Sequence, residues 1–118
     1  MLGITALVKL DKELVAASTV PLVLAILEQG ESYGYAIIQR VRELSRDEIE
    51  WTDGMLYPVL HWLEDHGHIG SCWREAETGR KRKYYTINAK GRKLLAQQRR
   101  QWEVVDDTLR RSWRPSHA

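Results

Sequence analysis

Thr52-Asp53-Gly54-Met55-Leu56-Tyr57-Pro58-Val59-Leu60-His61-Trp62-Leu63-Glu64-Asp65-His66-Gly67 has the pattern of one amphipathic helix. Leu56, Leu60 and Leu63 recur at i, i+4 and i+7, which places them on a single face, and Val59 widens that stripe. Gly54, Pro58, His61 and Asp65 point the opposite way, with Tyr57 and Trp62 on the flanks. Thr52 or Asp53 offers an oxygen to the orphan N–H groups at the start, and Gly67 permits a left-handed exit at the end. One side suits a core. The other carries mixed polar and aromatic groups and is free to lie against a partner.

The residues after the helix suggest the nature of that partner. Ile69 to Arg74 alternates loosely, Glu75 to Gly79 makes a turn, and Arg80 to Ile87 returns through the strand-favouring Tyr84, Tyr85, Thr86 and Ile87. The turn is basic. A helix leading into a basic β-hairpin is the layout of a winged helix-turn-helix. The expected fold class is therefore mainly α with a small β-hairpin (α+β), carrying a long C-terminal dimerisation helix.

Upstream, Met1 to Leu10 is a short mixed arm. Asp11 to Glu28 is helical in composition, with a buried face built on Leu22, Val23, Ile26 and Leu27. Pro21 is expected to begin a second helical piece after Ser18 or Thr19, because proline suits a first turn and disrupts an interior one. Gly30 ends this element. Ser32 caps a second helix to Leu44, whose buried line is Ile37, Val41 and Leu44 with Tyr33 one turn earlier. Ile49 and Trp51 alternate as a short strand in the connector. Asn88 caps the last helix, whose apolar stripe is Leu95, Trp102, Val105, Leu109 and Trp113. A single winged domain offers little to bury that stripe, whereas a second copy of the same helix does, so a two-fold homodimer is expected. The domain assignment is 11–88 for the winged domain and 89–114 for the dimerisation helix, with Trp113 to Ala118 frayed.

Size and composition agree with one small globular domain: 118 residues, 43% hydrophobic and 29% charged. The net charge of +2 says little, but its distribution says more. From Gly79 to Lys93 there are seven basic residues and no acidic one, while acids gather between Glu43 and Glu50. Such asymmetry favours one positive surface that meets a polyanion. Cys72 is the single cysteine, so an intrachain disulfide is excluded. The apolar run Val20 to Leu27 contains Pro21 and falls short of the roughly 20 residues that span a bilayer. With no signal-peptide layout at the start, the expected location is cytoplasmic, with no membrane partner.

Three separated motifs carry a family resemblance. Tyr33-Gly34-Tyr35, then Leu56-Tyr57-Pro58-Val59-Leu60-His61-Trp62-Leu63-Glu64, then Gly79-Arg80-Lys81-Arg82-Lys83-Tyr84-Tyr85-Thr86-Ile87-Asn88-Ala89-Lys90-Gly91 resembles the PadR family of bacterial transcriptional repressors. The spacing between the motifs agrees as well, and the similarity runs from about Lys12 to about Trp113. The single C-terminal helix resembles the smaller PadR subfamily, including its multidrug-responsive members, in which a tryptophan placed like Trp102 faces its mate across a dimer cavity. Met55 stands where the family often has threonine or serine, Trp62 where arginine is common, and Pro21 where a longer aliphatic run is usual. The first two lie on or near the presumed DNA face, so an operator sequence does not carry over.

The expected partners are a palindromic operator in double-stranded DNA and a second copy of the chain. Tyr57, Pro58, His61 and Gly54 on the central helix approach base edges in the major groove. Arg80, Lys81, Arg82 and Lys83 on the wing contact phosphates or the minor groove, and Ser32 and Tyr33 hold a phosphate at the next helix start. Two facing Trp102 indoles, with Val105 and Asp106 beside them, form a site for a small aromatic or drug-like effector, Glu103 and Asp106 attracting a cationic one. The simpler role for Trp102 is packing at the dimer seam. His61, His66, His68 and Cys72 are ligand-type residues, but their spacing matches no strong zinc pattern, so no metal is expected. No phosphate-cradling loop, nucleophile–base pattern or paired acidic motif appears, so no catalytic residues and no cofactor are expected, and the protein is read as no enzyme. A ligand-binding or interaction module without sequence-specific DNA recognition is the alternative that Met55 and Trp62 keep open.

Overall fold

The computed structural model describes residues 9–114. Four helices and a three-stranded antiparallel sheet run in the order α1 (Lys12–Glu28), β1 (Ser32–Tyr33), α2 (Gly34–Leu44), α3 (Asp53–Asp65), β2 (Ile69–Glu75), β3 (Lys81–Ile87) and α4 (Ala89–Trp113). Most of the expected N-terminal arm and the last four residues of the expected frayed tail lie outside the described residues.

The leucine stripe of α3 is the centre of the core. Leu56, Leu60 and Leu63 are fully buried and meet Val23, Leu24 and Leu27 of α1, Ile37 and Val41 of α2, and Ile69, Tyr85 and Ile87 of the sheet. Side chains of this size each contribute about 1.5–3 kcal/mol when removed from water, so α3 is held by its apolar face and leaves the opposite face free. Thr52 caps the helix, its hydroxyl oxygen accepting from the Met55 amide at 3.3 Å. The chain leaves through Gly67 at φ 76°.

Several local expectations give way to packing. α1 is one continuous helix with Pro21 inside it, not two pieces. Its second half is buried nearly all round, so tertiary contacts hold a proline that an isolated helix would not. The Ser18 and Thr19 hydroxyls also bond back to the Val15 carbonyl at 2.7 and 3.0 Å, the kind of back-bonding found where helices bend. Ser32 does not cap α2. Ser32 and Tyr33 instead form β1, paired with Tyr85 and Tyr84 at the edge of the hairpin, and α2 begins at Gly34 with no side-chain cap. Leu44, at the end of α2, is exposed, because the chain turns away at Ser45 before the buried line is complete. Ile49 and Trp51 form no strand: Arg46 and Asp47 take left-handed conformations, and the Ser45 hydroxyl accepts from the Ile49 amide at 2.8 Å. This compact turn delivers Trp51 into the core.

The hairpin register is Ile69↔Ile87, Ser71↔Tyr85, Trp73↔Lys83 and Glu75↔Lys81 on the face turned to α3, with Cys72↔Tyr84 and Arg74↔Arg82 on the other. α4 begins where β3 ends. Asn88 caps it by accepting from the Gly91 amide at 2.9 Å and donates to the Gly67 carbonyl at 2.8 Å, tying the root of α4 to the exit of α3. Leu95 seals the core, and Arg99 pairs with Glu28 of α1 at 3.3 Å. Beyond that point Trp102 still rests against α1, and the rest of α4 is exposed.

Candidate nucleic-acid interface

Because Leu56, Leu60 and Leu63 are buried, helical geometry turns Gly54, Pro58 and His61 outward, all exposed. The wing closes one side of this surface. Between α3, the start of α2 and the hairpin lies a cleft of about 660 Å³, lined by Tyr33, Tyr57, His61 and Arg80 through Lys83, together with Gly34, Tyr35, Glu64, Trp73 and Tyr85. Seven of the residues expected to meet DNA therefore share one concavity. Ser32 sits apart, in the sheet edge, and Gly54 and Pro58 lie on α3 outside the cleft lining.

Tyr57 is 44% exposed, and its ring tip rests over Gly34. A Cβ at residue 34 would lie 2.3 Å from the Tyr57 hydroxyl oxygen, so glycine is the residue that lets α3 approach α2 here. His61 stands one turn on, its Nε2 3.4 Å from an Asp65 carboxylate oxygen. Tyr85 lines the floor of the cleft at 4% exposure, and burial, with lesser contributions from Tyr57 and Glu64, raises its hydroxyl pKa.

The four wing cations are not equivalent. Arg80 and Lys81 are exposed and have no ion-pair partner among the described residues. Arg82 stacks over the Tyr33 ring at 4.4 Å, and Tyr33 in turn meets Tyr84 edge-on at 5.4 Å. Arg74 lies over the Tyr84 ring at 4.1 Å and pairs with Glu31, whose hydrogen bond raises the guanidinium pKa. Lys83 pairs with Glu64 of α3 at 3.4 Å. Glu64 also accepts a hydrogen bond from the Ser71 hydroxyl, and that bond, more than the lysine, holds its carboxyl below the usual range.

Residues 23–97 match the model of the transcriptional regulator PadR-like family. The chain belongs to that family. It is 27% identical over 88 residues to the transcriptional regulator YqjI of Escherichia coli, an alignment covering 75% of this chain and 41% of that protein. A solved transcriptional regulator from Clostridium thermocellum superposes with a TM-score of 0.80 at 26% identity, covering 89% of this chain and 99% of that one. A PadR family regulator from Eggerthella lenta does so with a TM-score of 0.68 at 33% identity, covering 82% and 79%. Family and relatives are transcriptional regulators rather than enzymes, and the three-stranded sheet with its long last helix is the winged-helix architecture of PadR-like structures.

Within this PadR-like chain the C-terminal stripe is divided. Leu95 belongs to the chain's own core. Trp102 is half-buried against α1, and with Asp106 and Glu103 it borders a shallow groove of about 420 Å³ whose apolar wall includes Pro21, Leu22 and Ala25. Val105 does not line that groove. It is exposed with Leu109 and Trp113, the last at 72%. Asp106 also pairs with Arg110 at 3.0 Å.

The histidines at the end of α3 have structural neighbours. The Trp62 ring stacks on His66 at 4.1 Å and His68 at 5.7 Å between centroids, and His66 Nδ1 lies 2.8 Å from the Trp62 carbonyl oxygen. Among the described residues no group of three or more His, Cys, Asp or Glu is placed to hold a metal ion. Nor is any described helix long and apolar enough to cross a membrane. Cys72 is an exposed strand residue.

Gly34, Tyr35, Glu64, Trp73 and Tyr85 were absent from the expected interface. Counting back by twos from the buried Tyr85 reaches Lys83, and its cross-strand partner Trp73, on the α3 side of the wing. That alternation was legible once the hairpin register was fixed.

Proposed function

We propose that the protein is a homodimeric repressor that binds a palindromic operator with α3 and the wing and is relieved by a small aromatic or hydrophobic effector. The observation that carries the reading is the shared cleft: Tyr57 and His61 of α3 open onto the same concavity as Arg80 and Lys81. A helix that presents polar and aromatic groups beside free cations suits a major groove with its flanking phosphates. Val105, Leu109 and Trp113, exposed along the outer part of α4, supply the apolar line for a second copy, which presents two reading helices to successive turns of duplex, roughly 34 Å apart. Trp102, with Asp106 and Glu103 at the rim of an apolar groove, suits a planar and cationic effector, through stacking and charge. An effector seated there favours one spacing of the two domains over another and shifts the population away from the operator-binding form.

A salt titration with a palindromic fragment from upstream of the protein's own gene and with random duplex tests the proposal. The expected result is preference for the palindrome, affinity that falls steeply as salt rises, and release by planar cationic dyes that quench Trp102. Equal, weak binding to every duplex points instead to an interaction module, and a chain that stays monomeric with DNA overturns the dimer.

A further inference from the structure

Glu64 is the one carboxylate of α3 that is bonded to both long strands of the wing. One oxygen accepts from the Ser71 hydroxyl on β2, and the other lies 3.4 Å from the Lys83 ammonium on β3. The two contacts are set by the register, which places Ser71 opposite Tyr85 and Lys83 opposite Trp73, two residues along on the same face of the hairpin. Glu64 sits one residue beyond Leu63, which is fully buried, so its backbone is anchored by the core. The Glu64 and Lys83 side chains are each about one-third exposed (31% and 32%), and the lysine nitrogen lies 5.5 Å from the Tyr85 ring centroid. The groups form a compact joint at the floor of the cleft, below the free cations at the wing tip.

The geometry points to Glu64 as a positioning and specificity-determining residue: it fixes the wing against the reading helix and withdraws Lys83 from the cations that meet DNA. The inference rests on the DNA-binding reading above and adds to it an unequal division of labour within Arg80-Lys81-Arg82-Lys83. A lysine already neutralised by a carboxylate releases no condensed counterion when DNA binds, whereas each free cation that reaches a phosphate adds about 0.9 to the salt slope. Holding the wing at one angle also limits the backbone geometries it can accept. The joint therefore exchanges some non-specific attraction for a fixed relation between base-reading and phosphate-contacting groups.

The test measures the slope of log affinity against log salt for operator and random duplex, in the wild type and in Lys81→Gln, Lys83→Gln and Glu64→Gln. Lys81→Gln should make the slope shallower by about 2 per dimer, and Lys83→Gln should leave it unchanged. Glu64→Gln keeps a partner for Ser71 but frees Lys83. It should steepen the slope by about 2 per dimer, tighten binding to random duplex and lower the operator-to-random ratio several-fold. A merely structural role weakens binding without steepening the slope. A Lys83→Gln slope as shallow as that of Lys81→Gln, or an unchanged slope in Glu64→Gln, overturns the inference. Amide hydrogen exchange without DNA gives a separate reading: Glu64→Gln should speed exchange in β2 and β3 and leave α1 unchanged. If exchange in the hairpin does not change, the joint does not hold the wing. If exchange responds but the wild type binds no duplex, the joint stands and the DNA-binding reading falls.

Discussion

Replacing Gly34 with alanine should separate operator binding from folding. The added Cβ would lie 2.3 Å from the Tyr57 hydroxyl oxygen and 2.8 Å from the ring carbon that bears it, whereas ordinary contact begins at 3.4 Å. The ring tip must therefore retreat by about 1 Å, a displacement that in a closed core costs about 1–3 kcal/mol. Tyr57 is 44% exposed, so its ring relieves the clash by swinging toward solvent. Alanine is meanwhile favoured over glycine in a helix by up to about 1 kcal/mol, and residue 34 opens α2. The two effects largely cancel, and the unfolding midpoint should move by no more than about 6 °C. Operator affinity should fall by about tenfold per half-site, since an outward swing of Tyr57 misplaces a group we propose to face the bases, and such contacts are worth about 1–3 kcal/mol. Fluorescence anisotropy with a labelled operator measures the loss, and a double-mutant cycle with Tyr57→Ala locates its cause. In the Tyr57→Ala background the Gly34→Ala substitution should change affinity no further and should raise stability. Wild-type affinity in Gly34→Ala, or a penalty that persists in full without the tyrosine, refutes the argument.

Two further outcomes concern stability. Gly91→Ala places a Cβ 2.1 Å from the His68 carbonyl oxygen and 2.7 Å from Ile87 Cγ1, neither of which is the loose end of an exposed chain. Denaturant unfolding should show a loss of about 2–4 kcal/mol at unchanged m-value. A pH dependence arises from Glu64, whose carboxyl is held below its ordinary 4.5, chiefly by the Ser71 hydrogen bond. A depressed carboxyl contributes stability that is fully present above 4.5 and is lost as pH falls through the lower folded-state value. Unfolding measured across that range should show the wild type losing its advantage over Glu64→Gln on acidification, and a gap constant with pH counts against the joint.

The parts of this fold legible in the sequence are those in which local pattern and tertiary burial agree. The Leu56, Leu60 and Leu63 spacing predicts a helix and its buried face together, and Thr52 and Asn88 cap the helices they precede. Where the two disagree, the sequence misleads. Ser32 has the chemistry of a cap, yet it is drawn into a strand because β3 offers it a ladder, a partner more than 50 residues away in the chain. Pro21 has the chemistry of a helix start, yet it sits inside α1 because the residues after it are buried. The interface divides along the same line. Its cations and the Tyr57–His61 face are visible as residue types, but their inequality is not. That Lys83 is paired, Arg82 is stacked and Lys81 is free depends on which face of the hairpin meets α3, which only the register determines.

The long last helix holds a mechanical consequence. Its first half, from Gly91 to Trp102, packs on the domain and along α1, while 25 residues of helix make a rod of about 37 Å. If two such rods are clasped at their far ends, each head is carried on its rod like a weight on an oar. A few degrees of tilt beside Trp102, too slight to disturb the packing there, then become several ångströms of travel at Tyr57. A pair of heads set to match the pitch of a duplex tolerates little such travel.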